Sequence, residues 1–232
     1  MFRSATIALN AALLLTGLAL VAHHGAGAAS PDLQLAPGGA SAEHRALSPA
    51  EDSMLPPGTH QPGIPVRLQI PFPSTHHPQG VTAEVSADPL TPEGNLFVPP
   101  DPRTVSWARE DAAPGAGRGT AILTGHVNYV VDGELVVGAL SDLAEYAVHR
   151  VGQTFTVVLA DGRELAYRIT GGEQYDKDEL AARPELRQEL YDQANAFGEG
   201  TGRLVLVSCG GAFDSRTGNY EDNVFLFALP VT

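Results

Sequence analysis

Two residues in this chain have side chains suited to covalent acyl chemistry. Cys209, the only cysteine, directly follows the apolar run Leu204-Val205-Leu206-Val207-Ser208 and precedes Gly210-Gly211. A thiol there sits where a buried strand is expected to surface into a glycine-rich turn, with room for a second backbone to approach. His126 holds the same kind of position after Thr120-Ala121-Ile122-Leu123-Thr124-Gly125. A thiol must ionise to attack a carbonyl, and a neighbouring imidazolium or guanidinium favours its ionised form. Arg216 is the only basic residue after Cys209, and its turn-rich stretch could fold back over the thiol and meet a developing oxyanion. The competing readings are an inert cysteine packed as a small hydrophobe, a structural histidine, and an exposed arginine paired with Asp214.

The elements that must position these residues are mostly strands. Val66 to Ile70 and Gly80 to Ala87 alternate apolar and polar residues, and Thr120 to Gly125 is a short apolar run. Thr154 to Leu159 and Glu164 to Thr170 flank Asp161-Gly162, a hairpin signature. Leu204 to Ser208 reads as a strand covered on both faces, and Asn223 to Leu229 as the last strand, the two joined by a turn-rich stretch from Gly210 to Asn219. Leu180 to Ala196 has helix-forming composition, with Pro184 near a helix start. Short strands with few helices predict a mostly β fold closed into a barrel or sandwich over residues 63–232.

Two segments precede that domain. Ala5 to Ala22 is an uncharged run of 18 residues behind Arg3, and Ala26-Gly27-Ala28 has the small-x-small spacing of a signal-peptidase site. Residues 1–28 therefore read as a signal or membrane-anchor segment that sends the rest of the chain out of the cytoplasm. Residues 29–62, rich in Pro, Ala, Ser and Gly and without aromatic side chains, read as a flexible linker. The chain of 232 residues carries 14 Lys and Arg against 27 Asp and Glu, a net charge of −13, which argues against nucleic-acid binding. Lys177 is its sole lysine. One cysteine excludes an internal disulfide and a cysteine-rich zinc module. The dispersed histidines 23, 24, 44 and 60 lack a fixed geometry for a metal, and Glu173, Asp176, Asp178 and Glu179 read as a solvated face. No metal and no cofactor is expected.

The segment Leu204 to Ala228, LVLVSCGGAFDSRTGNYEDNVFLFA, resembles the nucleophile signature of the sortases, specifically class F of high-GC Gram-positive bacteria. The matching residues are Cys209, Gly210, Gly211, Phe213, Asp214, Tyr220, Asp222 and Asn223. TAILTGHV, residues 120–127, is similar to the family's strand ending in its histidine, Pro65 to Pro71 to its opening strand, and Val105-Ser106-Trp107 to its Trp-bearing segment. The resemblance implies a closed sortase-type β-barrel and a surface-tethered cysteine transpeptidase. Cys209 would cleave an LPXTG-like sorting signal between Thr and Gly through a thioester. His126 would act as acid and base, and a peptidoglycan precursor or a pilin amine would accept the acyl group. Arg216 is carried over as the family's oxyanion arginine. In many sortases that arginine starts the final strand, where this chain has Asn223, so Asn223 is the other residue placed to serve the oxyanion. Ser208 replaces the usual threonine, and Asn128 to Tyr146 departs from the family pattern. A thiol hydrolase of the same fold and a non-catalytic surface binding module are the alternatives. The Ser-His-Gly-Cys pattern of the other cysteine-type peptidoglycan transpeptidases is absent.

Overall fold

In the computed structural model, which describes residues 62–193 and 202–231, the expected strands close into a barrel. The anchor expected over residues 1–28, and all of the linker over 29–62 except its last residue, lie outside the described residues. The barrel order is β1 (Pro65–Ile70), β2 (Val81–Asp88), β3 (Val105–Ala108), β4 (Thr120–Gly125), β9 (Arg203–Asp214), β10 (Asn219–Pro230), β8 (Glu164–Asp176) and β7 (Thr154–Leu159), with β7 returning to β1. The β2–β3 and β4–β9 pairs are parallel, and the others are antiparallel.

Period-two alternation puts one face of each strand inside the barrel. Leu68, Ile70, Leu123, Leu206 and Leu226 meet there, each almost fully buried. Val66 belongs to the same alternating set but is exposed, because a register shift between Pro65 and Arg67 turns it outward. On the other face of β4, β9 and β10, Ile122, Val205, Val207 and Phe225 form a second core. It is covered by α2 (Lys177–Ala182), by α3 (Pro184–Tyr191) and by Leu96 from the loop between β2 and β3. Burial on both faces is why the Leu204-to-Ser208 run shows no polar alternation.

The helical region differs from the single expected helix over 180–196. It begins earlier, at Lys177, where the Asp176 side chain accepts from the backbone N–H groups of Asp178 and Glu179. It breaks at Arg183, since a residue before proline is forced out of helical backbone, and α3 starts at Pro184, where the sequence places a helix start. The end of the expected span, 194–196, lies outside the described residues. Three further elements lie in the stretch after His126: β5 (Asn128–Val131), β6 (Glu134–Val137) and α1 (Leu143–His149). β5 and β6 pair only with each other across an Asp132-Gly133 turn, both residues having positive φ. α1 packs Leu143, Tyr146 and Ala147 onto the barrel core.

The largest correction concerns the stretch from Gly210 to Asn219. It is not a loop, because β9 runs on through the glycines to Asp214 and β10 begins at Asn219. The ladder survives because Gly211 and Ala212 lie opposite Glu221 alone, a bulge with Gly211 at φ 74°. A Cβ on Gly211 would stand 2.2 Å from Asp222 Oδ2, whereas one on Gly162, at φ 86°, would meet nothing within 4 Å. Gly162→Ala is therefore expected to cost only the backbone strain of about 1–2 kcal/mol. Gly211→Ala is expected to cost clearly more in the same denaturant titration; equal losses would show that the bulge tolerates a side chain.

Candidate active site

The site is a row of side chains laid across four strands. In the parallel β4–β9 pair, Ile122 lies beside Val205 and Thr124 beside Val207. One further two-residue step along each strand reaches His126 and Cys209, on neighbouring strands spaced about 4.8 Å apart. Across β9–β10, Cys209 pairs with Asn223, and across β10–β8, Asn223 pairs with Tyr175. Alternation sends all four side chains to the outer face of the barrel, level with Val207 and Phe225 and beneath the helices. Lys177 lies two residues beyond Tyr175, at the start of α2. Burial is nearly complete: relative exposure is 5% for Cys209, 4% for His126, 7% for Lys177 and 0% for Asn223.

His126 is held by backbone and ring. Its carbonyl accepts from Leu140 N–H at 3.1 Å, and the Val127 carbonyl accepts from Gly138 N–H at 2.8 Å. The approach is so close that a Cβ on Gly138 would lie 2.1 Å from the His126 oxygen. The ring lies tilted against Tyr129, with centroids 4.8 Å apart. Nε2 lies 2.8 Å from the Pro99 carbonyl oxygen, which can only accept, so Nε2 carries the proton and Nδ1 is the basic nitrogen. Burial pushes the imidazole below its ordinary value; the Pro99 bond and the Asp101 charge oppose this without overcoming it.

Cys209 shows the mirror-image effect. Burial pushes its thiol above the ordinary value, and the nearby charge and hydrogen bond of Lys177 act in the opposite direction. Lys177 Nζ donates to the sulfur at 3.7 Å, to Asn219 Oδ1 at 3.1 Å and to the Tyr220 carbonyl at 2.6 Å. The buried side chain of Asn223 leaves both its donor Nδ2 and its acceptor Oδ1 without a partner.

The structure does not bring Arg216 to this row. Extension of β9 to Asp214 carries the arginine into the hairpin turn, beyond five residues of extended strand, on the order of 16 Å. Its side chain is 83% exposed and paired with Asp214 at 3.1 Å, with its backbone N–H on the same carboxylate. Sequence reasoning did not select Lys177, and its one signal there is that it is the sole lysine. Among the described residues, no group of three His, Cys, Asp or Glu side chains could hold a metal ion, and no helix is long and apolar enough to cross a membrane.

The eight-stranded barrel thus carries a buried thiol within β9 and a buried imidazole just after β4. The family model for the sortase domain matches residues 79–231. The chain belongs to the sortase family. Sortases are cysteine transpeptidases that act outside the cytoplasm, and the closed barrel is the fold of the family. Solved sortases are similar at low identity. Sortase A from Corynebacterium diphtheriae is 10% identical with a TM-score of 0.49, over 74% of this chain and 62% of that one. Sortase A from Actinomyces oris is 14% identical with a TM-score of 0.47, over 77% and 87%. Sortase C1 from Streptococcus suis is 16% identical with a TM-score of 0.46, over 75% and 74%. No curated protein sequence matches the chain.

The buried histidine makes the stability of this sortase barrel depend on pH in a definite direction. A histidine whose value is lower folded than unfolded binds more protons in the unfolded chain, so its contribution falls as pH drops through the ordinary value of 6.5. Wild type is expected to lose stability relative to His126→Gln as urea midpoints are followed from pH 7.5 to 5.5. A constant difference would show that the imidazole titrates normally.

Proposed function

We propose that this protein is a class F sortase of the cell surface, tethered outside the cytoplasm by its N-terminal segment. In this reading it cleaves an LPXTG-like sorting signal between Thr and Gly and joins the Thr carbonyl to an amine of a peptidoglycan precursor or a pilin. What carries the reading is the juxtaposition of His126 and Cys209 by the β4–β9 register, within a chain that the sortase family claims over residues 79–231. Class F is supported by the Cys-Gly-Gly-x-Phe-Asp and Tyr-x-Asp-Asn spacing at Cys209 to Asp214 and Tyr220 to Asn223.

The steps balance within the chain's own residues. Cys209 cedes its proton to His126, and the thiolate adds to the Thr carbonyl carbon. The adduct collapses to a thioester as His126 returns the proton to the departing glycine nitrogen. An incoming amine attacks the thioester, gives up a proton to His126 and releases the thiolate. The bond energy of the amide is kept in the thioester, so no nucleotide is consumed. The negative oxygen of each adduct forms beside the β9–β10 pair. There Asn223 offers an N–H without a partner, whereas Arg216 is occupied with Asp214 in the hairpin turn.

The decisive experiment incubates the protein with LPXTG-type peptides, with and without a glycine or diaminopimelate-type amine, and follows both protein and peptide by mass. An acyl adduct on Cys209 and an amine-ligated product are expected from wild type and from neither Cys209→Ala nor His126→Ala. Cleavage that never yields ligated product would make the protein a thiol hydrolase, and a full rate in either variant would remove the pair from the chemistry. Gly138→Ala, which pushes on the His126 backbone, is expected to slow acyl-enzyme formation about 100-fold, as a misplaced catalytic group does.

A further inference from the structure

The charged and polar groups around Cys209 come from every element packed against it. From the end of β4 comes His126, neutral by burial and committed to Pro99. From β10 come Asn223 and the Tyr220 carbonyl. From β8 come Tyr175 and Glu173, whose hydroxyl and carboxylate bond to each other, and Asp176, which caps α2. Asp222 turns to the opposite face and accepts from Gln174 at 2.6 Å. Lys177 alone in this set carries a positive charge.

A buried ammonium is costly without an anion, and the usual remedy is a carboxylate. Lys177 has none: among the described residues no Asp or Glu forms an ion pair with it, although the chain carries a net charge of −13. Its three N–H donors go to two neutral oxygens and to the Cys209 sulfur. The two oxygens, on adjacent residues Asn219 and Tyr220 at the start of β10, fix where the ammonium stands. The third direction ends on the one atom of the three that can acquire charge. We propose that Lys177 is a catalytic residue of this site, the cation that stabilises the thiolate formed when Cys209 gives up its proton. In this protein the positive charge of the site thus comes from the first residue of a helix, and Arg216 does not supply it. The thiol proton moves to His126. The inference rests on the reading of Cys209 as the nucleophile.

The test needs no substrate. Cys209 is the only cysteine and Lys177 the only lysine, so each can be followed in the full-length, detergent-purified protein without interference. The pH profile of iodoacetamide alkylation reports thiolate formation. In Lys177→Met the midpoint is expected to move up by at least about one pH unit, with alkylation at pH 7 slowed about tenfold. In Lys177→Arg, which keeps the charge, the profile is expected to stay near wild type. A lysine with a merely structural role would leave the midpoint in place, so an unchanged Lys177→Met profile overturns the proposal. Should Lys177→Met fail to fold, wild type carrying 15Nζ-lysine decides the matter. The single Nζ resonance is expected to show a titration step at the alkylation midpoint that disappears in Cys209→Ala, and the absence of that step overturns the proposal. Neither readout uses a sorting signal. Peptide ligation with an unmoved profile removes Lys177 alone, and a moved profile with no acyl-enzyme on any peptide removes the transpeptidase reading alone.

Discussion

The parallel pairing of β4 with β9 is the constraint on which the rest of the site depends. Parallel neighbours run in the same direction, so the residues that follow Thr124 and Val207 lie side by side although they are distant in sequence. An antiparallel pairing would put His126 and Cys209 at opposite ends of the barrel. The register is fixed by burial on both faces: a slip of one residue would exchange Leu206 and Val205 between two packed cores of different shape. The flanking strands reinforce it, because β10 pairs with β9 almost throughout its length and β3 holds β4 through Val105, Ser106 and Trp107.

The layer that makes this arrangement rigid also sets its chemical state. α2 and the loop between β2 and β3 exclude water from the row, and desolvation disfavours both the thiolate and the imidazolium. In the described state the Cys209 thiol and the His126 imidazole are therefore both neutral. The same exclusion raises the worth of each remaining dipole and charge, since a Coulomb interaction at a given distance is stronger where the dielectric is low. It also has a cost. An amide left without partners in the interior loses about 1–3 kcal/mol of hydrogen bonding, and Asn223 stands in that condition next to the thiol.

The barrel was legible in the sequence wherever alternation or a turn signature was local. The hairpin around Asp161-Gly162 and the run ending at Gly125 fall where the residues say they should, because period and turn chemistry are properties of a few consecutive residues. The Asp132-Gly133 turn was equally readable, and its short flanking strands were missed only because they pair with nothing else. What local pattern cannot show is persistence of a ladder through glycine. Two glycines after Cys209 look like a turn, yet β10 supplies partners for the residues beyond them and the bulge absorbs the mismatch. That long-range pairing carries Arg216 away from the thiol, so one misjudged strand end accounts for the distance between them. Lys177 was illegible for the same kind of reason: its neighbours in sequence are acidic and solvent-facing, and only the packing of α2 on β10 turns it inward.

A lysine at the start of a helix is mechanically unlike an arginine on a strand. The Tyr220 carbonyl that anchors Nζ belongs to a residue whose ring meets Phe213 edge-on and whose hydroxyl accepts from Asn128 at 2.6 Å. Through Tyr220 the ammonium is thus joined to α2, to the β9–β10 hairpin and to the strand that follows His126, three segments that converge on the thiol. In the proposed reaction, admitting a peptide to Cys209 requires part of the cover to move. If α2 moved as a body, the cation would leave with it and the thiolate would lose its partner at the moment of attack. The charged residues of the loop between β2 and β3, Glu93, Asp101 and Arg103, form no hydrogen bond with Cys209. The loop meets the row through the Phe97 and Pro99 carbonyls, which accept from Thr124 Oγ1 at 2.6 Å and His126 Nε2 at 2.8 Å. Lifting that loop would free the Nε2 proton of His126 and admit water to the imidazole, which relieves the burial that keeps it neutral. Opening on the loop side therefore prepares the base while leaving Lys177 against the sulfur, and opening on the helix side does neither.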